Sequence, residues 1–178
     1  MSQTVVHRPA MALPPSGARG WTGALLHIHV SLAAARPMQE LAEARLVAGQ
    51  GIEGDRYFRG TGTYSKKPDV REVTLIEVEV LEALARNDPP LQEGPILLAP
   101  GEHRRNLTVR GVPLNHLVGQ DFRVGEVLLR GGRLNFPCAY LDKLLGKPLF
   151  GPLTNRSGLN CAIIEGGVIR PGDRLEPC

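Results

Sequence analysis

The chain has 178 residues, a net charge of +3 and 42% hydrophobic against 22% charged residues, the balance of one globular domain rather than of a disordered segment. Aromatic residues make up only 4%, and arginine carries the basic excess, the lysines being Lys66, Lys67, Lys143 and Lys147. Stacking platforms and a lysine-rich face are therefore both scarce, which argues against a nucleic-acid-binding barrel. Three cysteines without a CxxC pair argue against a disulfide framework and for a reducing, cytoplasmic setting. No apolar run has the length of a membrane span, and the N-terminus does not read as a secretory signal.

Residues 1–20, with Pro9, Pro14, Pro15, Gly17 and Gly20, read as a flexible N-terminal tail, and residues 21–178 as one domain. Leu26-His27-Ile28-His29-Val30 alternates as a half-buried strand should, with His27 and His29 on its solvated face. Glu43 to Val47 forms a second strand. It is followed by the turn-rich Gly51-Ile52-Glu53-Gly54-Asp55-Arg56-Tyr57 and by a polar loop over 59–69 placed to lie over a pocket.

The β-branched run Val73 to Ile76 leads into an amphipathic helix whose Val80, Leu81 and Leu84 share a face and which Asn87-Asp88-Pro89-Pro90 ends. Phe122 to Leu129 reads as a hairpin around Gly125, and Cys161 to Arg170 as a second hairpin around Gly166-Gly167. Pro171-Gly172-Asp173 makes a further turn before Arg174-Leu175. Short strands, many glycine turns and a few short helices predict a mostly β fold, a barrel with helical decorations.

Two clusters have chemistry in reach. Pro137-Cys138 stands at the head of the short helical pattern Cys138 to Gly146, where backbone N–H groups and the helix dipole favour a thiolate. A thiolate is both a nucleophile and a soft metal ligand. Arg104-Arg105-Asn106 combines two guanidinium groups with an amide and forms a fork for phosphate or another oxyanion. On a strand, adjacent residues point to opposite faces, so one of the two arginines is expected to face the pocket. Asp55 and Arg56 supply a further carboxylate–guanidinium pair that supports the fold or the site. Cys161 falls in an apolar strand and reads as core, and Cys178 as incidental.

Several segments together resemble a known family. They are Gly51 to Tyr57, Arg71-Glu72-Val73-Thr74-Leu75-Ile76-Glu77, Gly101-Glu102-His103-Arg104-Arg105-Asn106-Leu107, Leu114 to Gly119, Phe122 to Gly125, Pro137-Cys138-Ala139-Tyr140-Leu141 and Gly166 to Asp173. In this order, over residues 23 to 176, they resemble a stand-alone bacterial MOSC domain, the module at the C-terminus of molybdenum-cofactor sulfurases. The resemblance implies a β-barrel of the MOSC, pyruvate-kinase-barrel-like type and a near-invariant cysteine, here Cys138.

It also implies the molybdenum cofactor, a pterin bearing a dithiolene and a phosphate, as the small-molecule partner. Arg104, Arg105, Asn106, Arg56 and Asp55 are then the candidate cofactor-binding residues, and Cys138 is the candidate catalytic residue and metal ligand. Three activities follow from the resemblance: carriage of sulfur as a persulfide with a protein sulfur donor, reduction of N-hydroxylated compounds with an external reductase, or non-catalytic delivery of the cofactor. The chain has no flavin, haem or iron–sulfur motif of its own. One departure is Leu134-Asn135-Phe136 ahead of the Pro-Cys pair, where many relatives have a polar or cysteine-containing segment.

Overall fold

The protein is represented by a computed structural model that describes residues 20–63, 65 and 71–178. The predicted tail lies outside the described residues, but for Gly20, and so does part of the 59–69 loop. The strands in chain order are β1 Gly23–Val30, β2 Gln39–Leu41, β3 Ala44–Val47, β4 Gly51–Ile52, β5 Val73–Glu77, β6 Leu107–Arg110, β7 Asp121–Val124, β8 Val127–Leu134, β9 Leu159–Glu165, β10 Gly167–Ile169 and β11 Arg174–Pro177. Two helices, α1 Val78–Arg86 and α2 Ala139–Leu145, sit between them.

Seven strands close into a barrel in the order β11-β7-β8-β9-β5-β6-β1, with β1 returning to β11 through Gly23↔Leu175 and Ala24↔Arg174. The neighbours are antiparallel except β5 and β6. A parallel pair needs a crossover connection, and α1 lies in that crossover. Register shifts in β1 (Leu25/His27) and twice in β8 supply the bends that closure requires. The mostly β barrel expected from the sequence is the observed fold.

The hairpin expected over Cys161 to Arg170 does not form. β9 lies between β8 and β5 in the barrel wall, whereas β10 leaves it and pairs with β3 in a small three-stranded sheet, β10-β3-β4. The Gly166-Gly167 step is a change of sheet rather than a hairpin turn. A Cβ at Gly166 would stand 2.5 Å from the Leu46 carbonyl oxygen, so the close approach to β3 requires glycine there.

The barrel interior is filled by Leu25, Ile28, Leu75, Leu107, Phe122, Leu129, Leu159 and Leu175, among others, all fully buried. Cys161 belongs to this core, as expected, and its burial pushes the thiol pKa up. A second apolar cluster unites Val80 and Leu84 of α1 with Leu141 of α2, Ile96, Leu149 and Leu153. Leu81 of the expected helix face is half-buried. This outer cluster fixes α2, and with it Cys138, against the barrel. None of the described helices is long and apolar enough to cross a membrane.

Candidate functional site: an arginine-lined cavity with a cysteine at its rim

The segment leading to Cys138 is pinned before α2 begins. Asn135 N–H donates to the Gly158 carbonyl (2.7 Å), and Asn135 Nδ2 donates to Asn160 Oδ1 (2.6 Å). Gly158, at φ 99°, runs so close to β5 that a Cβ would stand 1.9 Å from the Leu75 carbonyl oxygen. Cys138 then takes the N-cap position of α2 in an extended conformation, and Leu141 N–H donates to its carbonyl at 2.9 Å. Its side chain makes no capping hydrogen bond and is exposed.

Cys138 stands on the rim of a cavity of about 670 Å³. Its lining includes Arg133, Phe136 and Tyr140 of the β8–α2 segment, Ala35, Arg56, Tyr57 and Arg104, and Arg71, Thr74, Arg105 and Asn106. The described lining residues include five arginines and no carboxylate. Such a surface selects anions.

Arg104 and Arg105 both line this cavity, contrary to the expectation that one would turn away. They precede β6 rather than lie in it, and Arg104 is left-handed at φ 64°, so strand alternation does not apply. Arg104 Nη1 donates to the Arg36 carbonyl. Arg105 is buried and donates from Nε to the Ser157 carbonyl (2.8 Å), from Nη2 to Ser157 Oγ and from Nη1 to the His103 carbonyl (3.0 Å). Burial lowers its pKa to about 10 while Cys138 acts in the opposite direction, so Arg105 supplies a fixed positive charge beside the cysteine.

Asn106 lines the cavity, but its amide is engaged within the protein. Oδ1 accepts from Thr74 N–H (3.1 Å) and Thr74 Oγ1 (2.8 Å), and Nδ2 donates to the His29 carbonyl (3.1 Å). It clamps β5 and β1 together rather than completing the fork drawn from the sequence. Asp55 is buried, and its two oxygens accept from Ser31 N–H (3.0 Å) and Tyr57 N–H (2.9 Å), so it shapes the turn. Arg56 stacks on Tyr57, with the guanidinium carbon 4.7 Å from the ring centroid, and lies 3.8 Å from Asp55. Its enclosed Nη1 has no hydrogen-bond partner among the described residues.

Sequence reasoning passed over Arg71, Arg133, Tyr57, Tyr140 and the buried His103 as site residues. Arg71 lies inside a recognised segment, but its direction depends on β5. Arg133 follows a register shift in β8 that no local pattern announces. The histidines also differ from expectation. His27 is half-exposed and paired with Glu40 at 2.7 Å, whereas His29 is 1% exposed and packs edge-on to His103, with ring centroids 5.7 Å apart. A loop laid over the outer face of β1 covers it: a Cβ at Gly101 would stand 3.0 Å from His29 Cδ2.

His103 accepts from Arg105 N–H at Nδ1 (3.1 Å), so Nε2 carries its proton and faces Thr108 Oγ1 (3.2 Å). Burial first, then the Arg105 charge, lowers its pKa from 6.5 to about 3. The unfolded chain therefore takes up a proton that the folded protein refuses. The stability is complete above the unfolded value and falls as pH drops from 6.5 towards 3, by about 1.4 kcal/mol per pH unit. Urea unfolding at pH 7 and at pH 5 is expected to show a loss about 2 kcal/mol larger in the unsubstituted protein than in His103→Gln.

The family model described as the MOSC domain matches residues 62–176. The chain belongs to the MOSC domain family. That family is associated with molybdenum-cofactor enzymes. Among solved structures, the YuaD protein from Bacillus subtilis superposes with a TM-score of 0.71 at 17% identity, covering 89% of this chain and 96% of its own. YiiM from Geobacillus stearothermophilus gives 0.62 at 15% identity, over 88% of this chain and 75% of its own. YiiM from Escherichia coli gives 0.61 at 20% identity, over 90% and 70%. At these identities the likeness establishes the barrel fold alone. No curated protein matches the chain.

Proposed function

We propose that this MOSC protein binds the molybdenum cofactor in the arginine-lined cavity and presents Cys138 to it as its reactive thiol. The observation that carries the reading is the placement of an exposed cysteine on the rim of a cavity whose described lining holds five arginines. The residues suit the group. Guanidinium groups are matched to a phosphate, a thiolate is a soft donor for molybdenum, and the enclosed Arg56 Nη1 makes no hydrogen bond among the described residues.

Arg71 and Arg105 would hold the phosphate from the cavity floor, Asn106 and Ser157 keeping that floor rigid. Among the described residues no three His, Cys, Asp or Glu side chains are grouped to hold a metal, so in this reading the metal arrives with the cofactor. The bound cofactor would supply two-electron oxygen-atom and N–O chemistry, with electrons from a separate reductase. Cys138 would orient it, and Phe136 and Tyr140 would limit the approach of water.

The exposure of Cys138 favours a second reading, sulfur carriage. Its thiolate would attack the outer sulfur of a donor persulfide, forming a new S–S bond at Cys138 as the donor S–S bond breaks and the donor leaves as a thiolate. The two readings separate in one preparation. Protein purified from a host that makes the cofactor is expected to carry pterin and molybdenum in amounts approaching one per chain. Absence of both, with a persulfide on Cys138 after treatment with a sulfur donor, would replace the first reading by the second.

A further inference from the structure

We infer that Phe136 and Tyr140 form a stacking clamp at the mouth of the cavity, and that the compound it admits to Cys138 is built on a planar aromatic ring. The clamp is independent of which of the two roles above Cys138 performs.

The chain holds one tryptophan, three tyrosines and four phenylalanines. Three of these eight rings, Tyr57, Phe136 and Tyr140, line the cavity that has Cys138 on its rim. Phe136 comes just before Pro137-Cys138 and Tyr140 lies in the first turn of α2, and they are 69% and 53% exposed. A lone exposed ring is ordinary on a protein surface. Two of them flanking a thiol at a cavity mouth, in a chain with so few rings, are not. Both forgo the burial that stabilises an aromatic side chain in a core.

Phe136 is also held still. Asn135, just before it, is fixed by its hydrogen bonds to Gly158 and Asn160, and Pro137, just after it, restricts it to extended backbone. Arg133 Nη1 donates to the Leu134 carbonyl (3.0 Å), and its guanidinium lies over the Phe136 ring, the central carbon 5.6 Å from the centroid. One face is thus covered, and the rest of the ring is open. Tyr140 is carried by α2, whose neighbouring Leu141 is anchored in the outer apolar cluster. Rings that are exposed yet fixed lose little freedom when a ligand is laid on them.

Tyr57 is already in contact with Arg56 and with Gly62, where a Cβ would stand 2.4 Å from Tyr57 Cδ1. The free aromatic surface is therefore that of Phe136 and Tyr140. Such surface favours a partner ring, offset-stacked or edge-on, over an aliphatic chain of similar size. The Tyr140 phenol is near enough to Arg104 to act on its pKa, so a polar group on the edge of that ring meets hydrogen-bonding partners there. The ligand class is a small planar aromatic or heteroaromatic compound with a polar edge.

The test compares alkylation of Cys138 by N-phenylmaleimide and by N-ethylmaleimide in the full-length, cofactor-free protein, with Cys178 of the same chain as reference. Both reagents add the thiolate across the same double bond, so their rate ratio at Cys178 reports their intrinsic difference. The phenyl-to-ethyl ratio is expected to be about fivefold higher at Cys138 than at Cys178. Phe136→Leu keeps an apolar side chain without the aromatic face, and is expected to bring the two ratios together, while Phe136→Trp restores the excess. Tyr140→Leu is expected to lower the excess in part. The N-ethylmaleimide rate at Cys138 is expected to stay the same in all of them, since these exposed positions can be changed without disturbing the fold. Equal ratios at the two cysteines of the unsubstituted protein, or an excess that survives Phe136→Leu undiminished, would overturn the inference.

Discussion

Cys138→Ser is expected to keep its pterin and lose its molybdenum, with metal per pterin falling at least tenfold by elemental analysis. A serine hydroxyl is nearly isosteric but stays protonated and hard at neutral pH, so it replaces neither the nucleophile nor the soft ligand. The fold is expected to survive. Cys138 is exposed, makes no capping bond and occupies an N-cap where serine is a preferred residue. Its melting temperature is expected to match the unsubstituted protein within about 2 °C or rise slightly. Molybdenum retained at unchanged stoichiometry would remove Cys138 from the metal.

The second large effect is on the floor. Arg105→Met is expected to cost about 3–5 kcal/mol, lowering the melting temperature by roughly 10 °C in a protein of this size, and to abolish pterin retention. Methionine restores the length and apolar stem of the side chain but leaves the Ser157 carbonyl, Ser157 Oγ and the His103 carbonyl without their donor. It also removes a fixed positive charge beside Cys138. Arg105→Lys keeps the charge but not the planar fork, and is expected to recover less than half of the lost stability. A thermal unfolding series across the three proteins reads this directly, and equal melting temperatures would contradict the bracing role.

The site is coupled to the fold through these polar braces. Asn106 joins β5 to β1, Arg105 joins the segment before β6 to the segment before β9, and Asn135 joins the end of β8 to Gly158 and Asn160. Each brace ties segments that are distant in the chain: β8 and β9 are neighbours in the barrel, β5 and β1 lie on either side of β6, and β6 and β9 on either side of β5. The cavity is therefore a property of closure, and its residues are assembled only when the barrel is complete.

That coupling explains what the sequence reveals. Alternation at Leu26 to Val30, the β-branched run before α1, the Gly125 turn and the apolar setting of Cys161 are local signals, and each describes the element that forms. The Pro137-Cys138 helix start is also local, and α2 begins there. The partner of a strand is not a local property. Gly166-Gly167 has the composition of a hairpin turn, yet β10 finds a better partner in β3, and nothing within that stretch encodes β3.

The arginines show the same division. The sequence reveals that Arg104 and Arg105 are adjacent, but not that a left-handed residue turns both into one cavity. Asn106 has the chemistry of a ligand-binding amide, and only the barrel shows that Thr74 and His29 have already claimed it. His29 alternates as a solvated residue would; the loop that buries it arrives from more than seventy residues away.

The most direct test of the central claim is alkylation of Cys138 by iodoacetamide, followed by mass spectrometry, in protein carrying pterin and in the same protein after the pterin has been stripped. The account predicts that Cys138 is protected at least tenfold in the loaded protein and regains its reactivity on stripping, while Cys178 reacts equally in both. Equal reactivity of Cys138 in the two states would show that the cofactor does not sit against it, and would contradict the account.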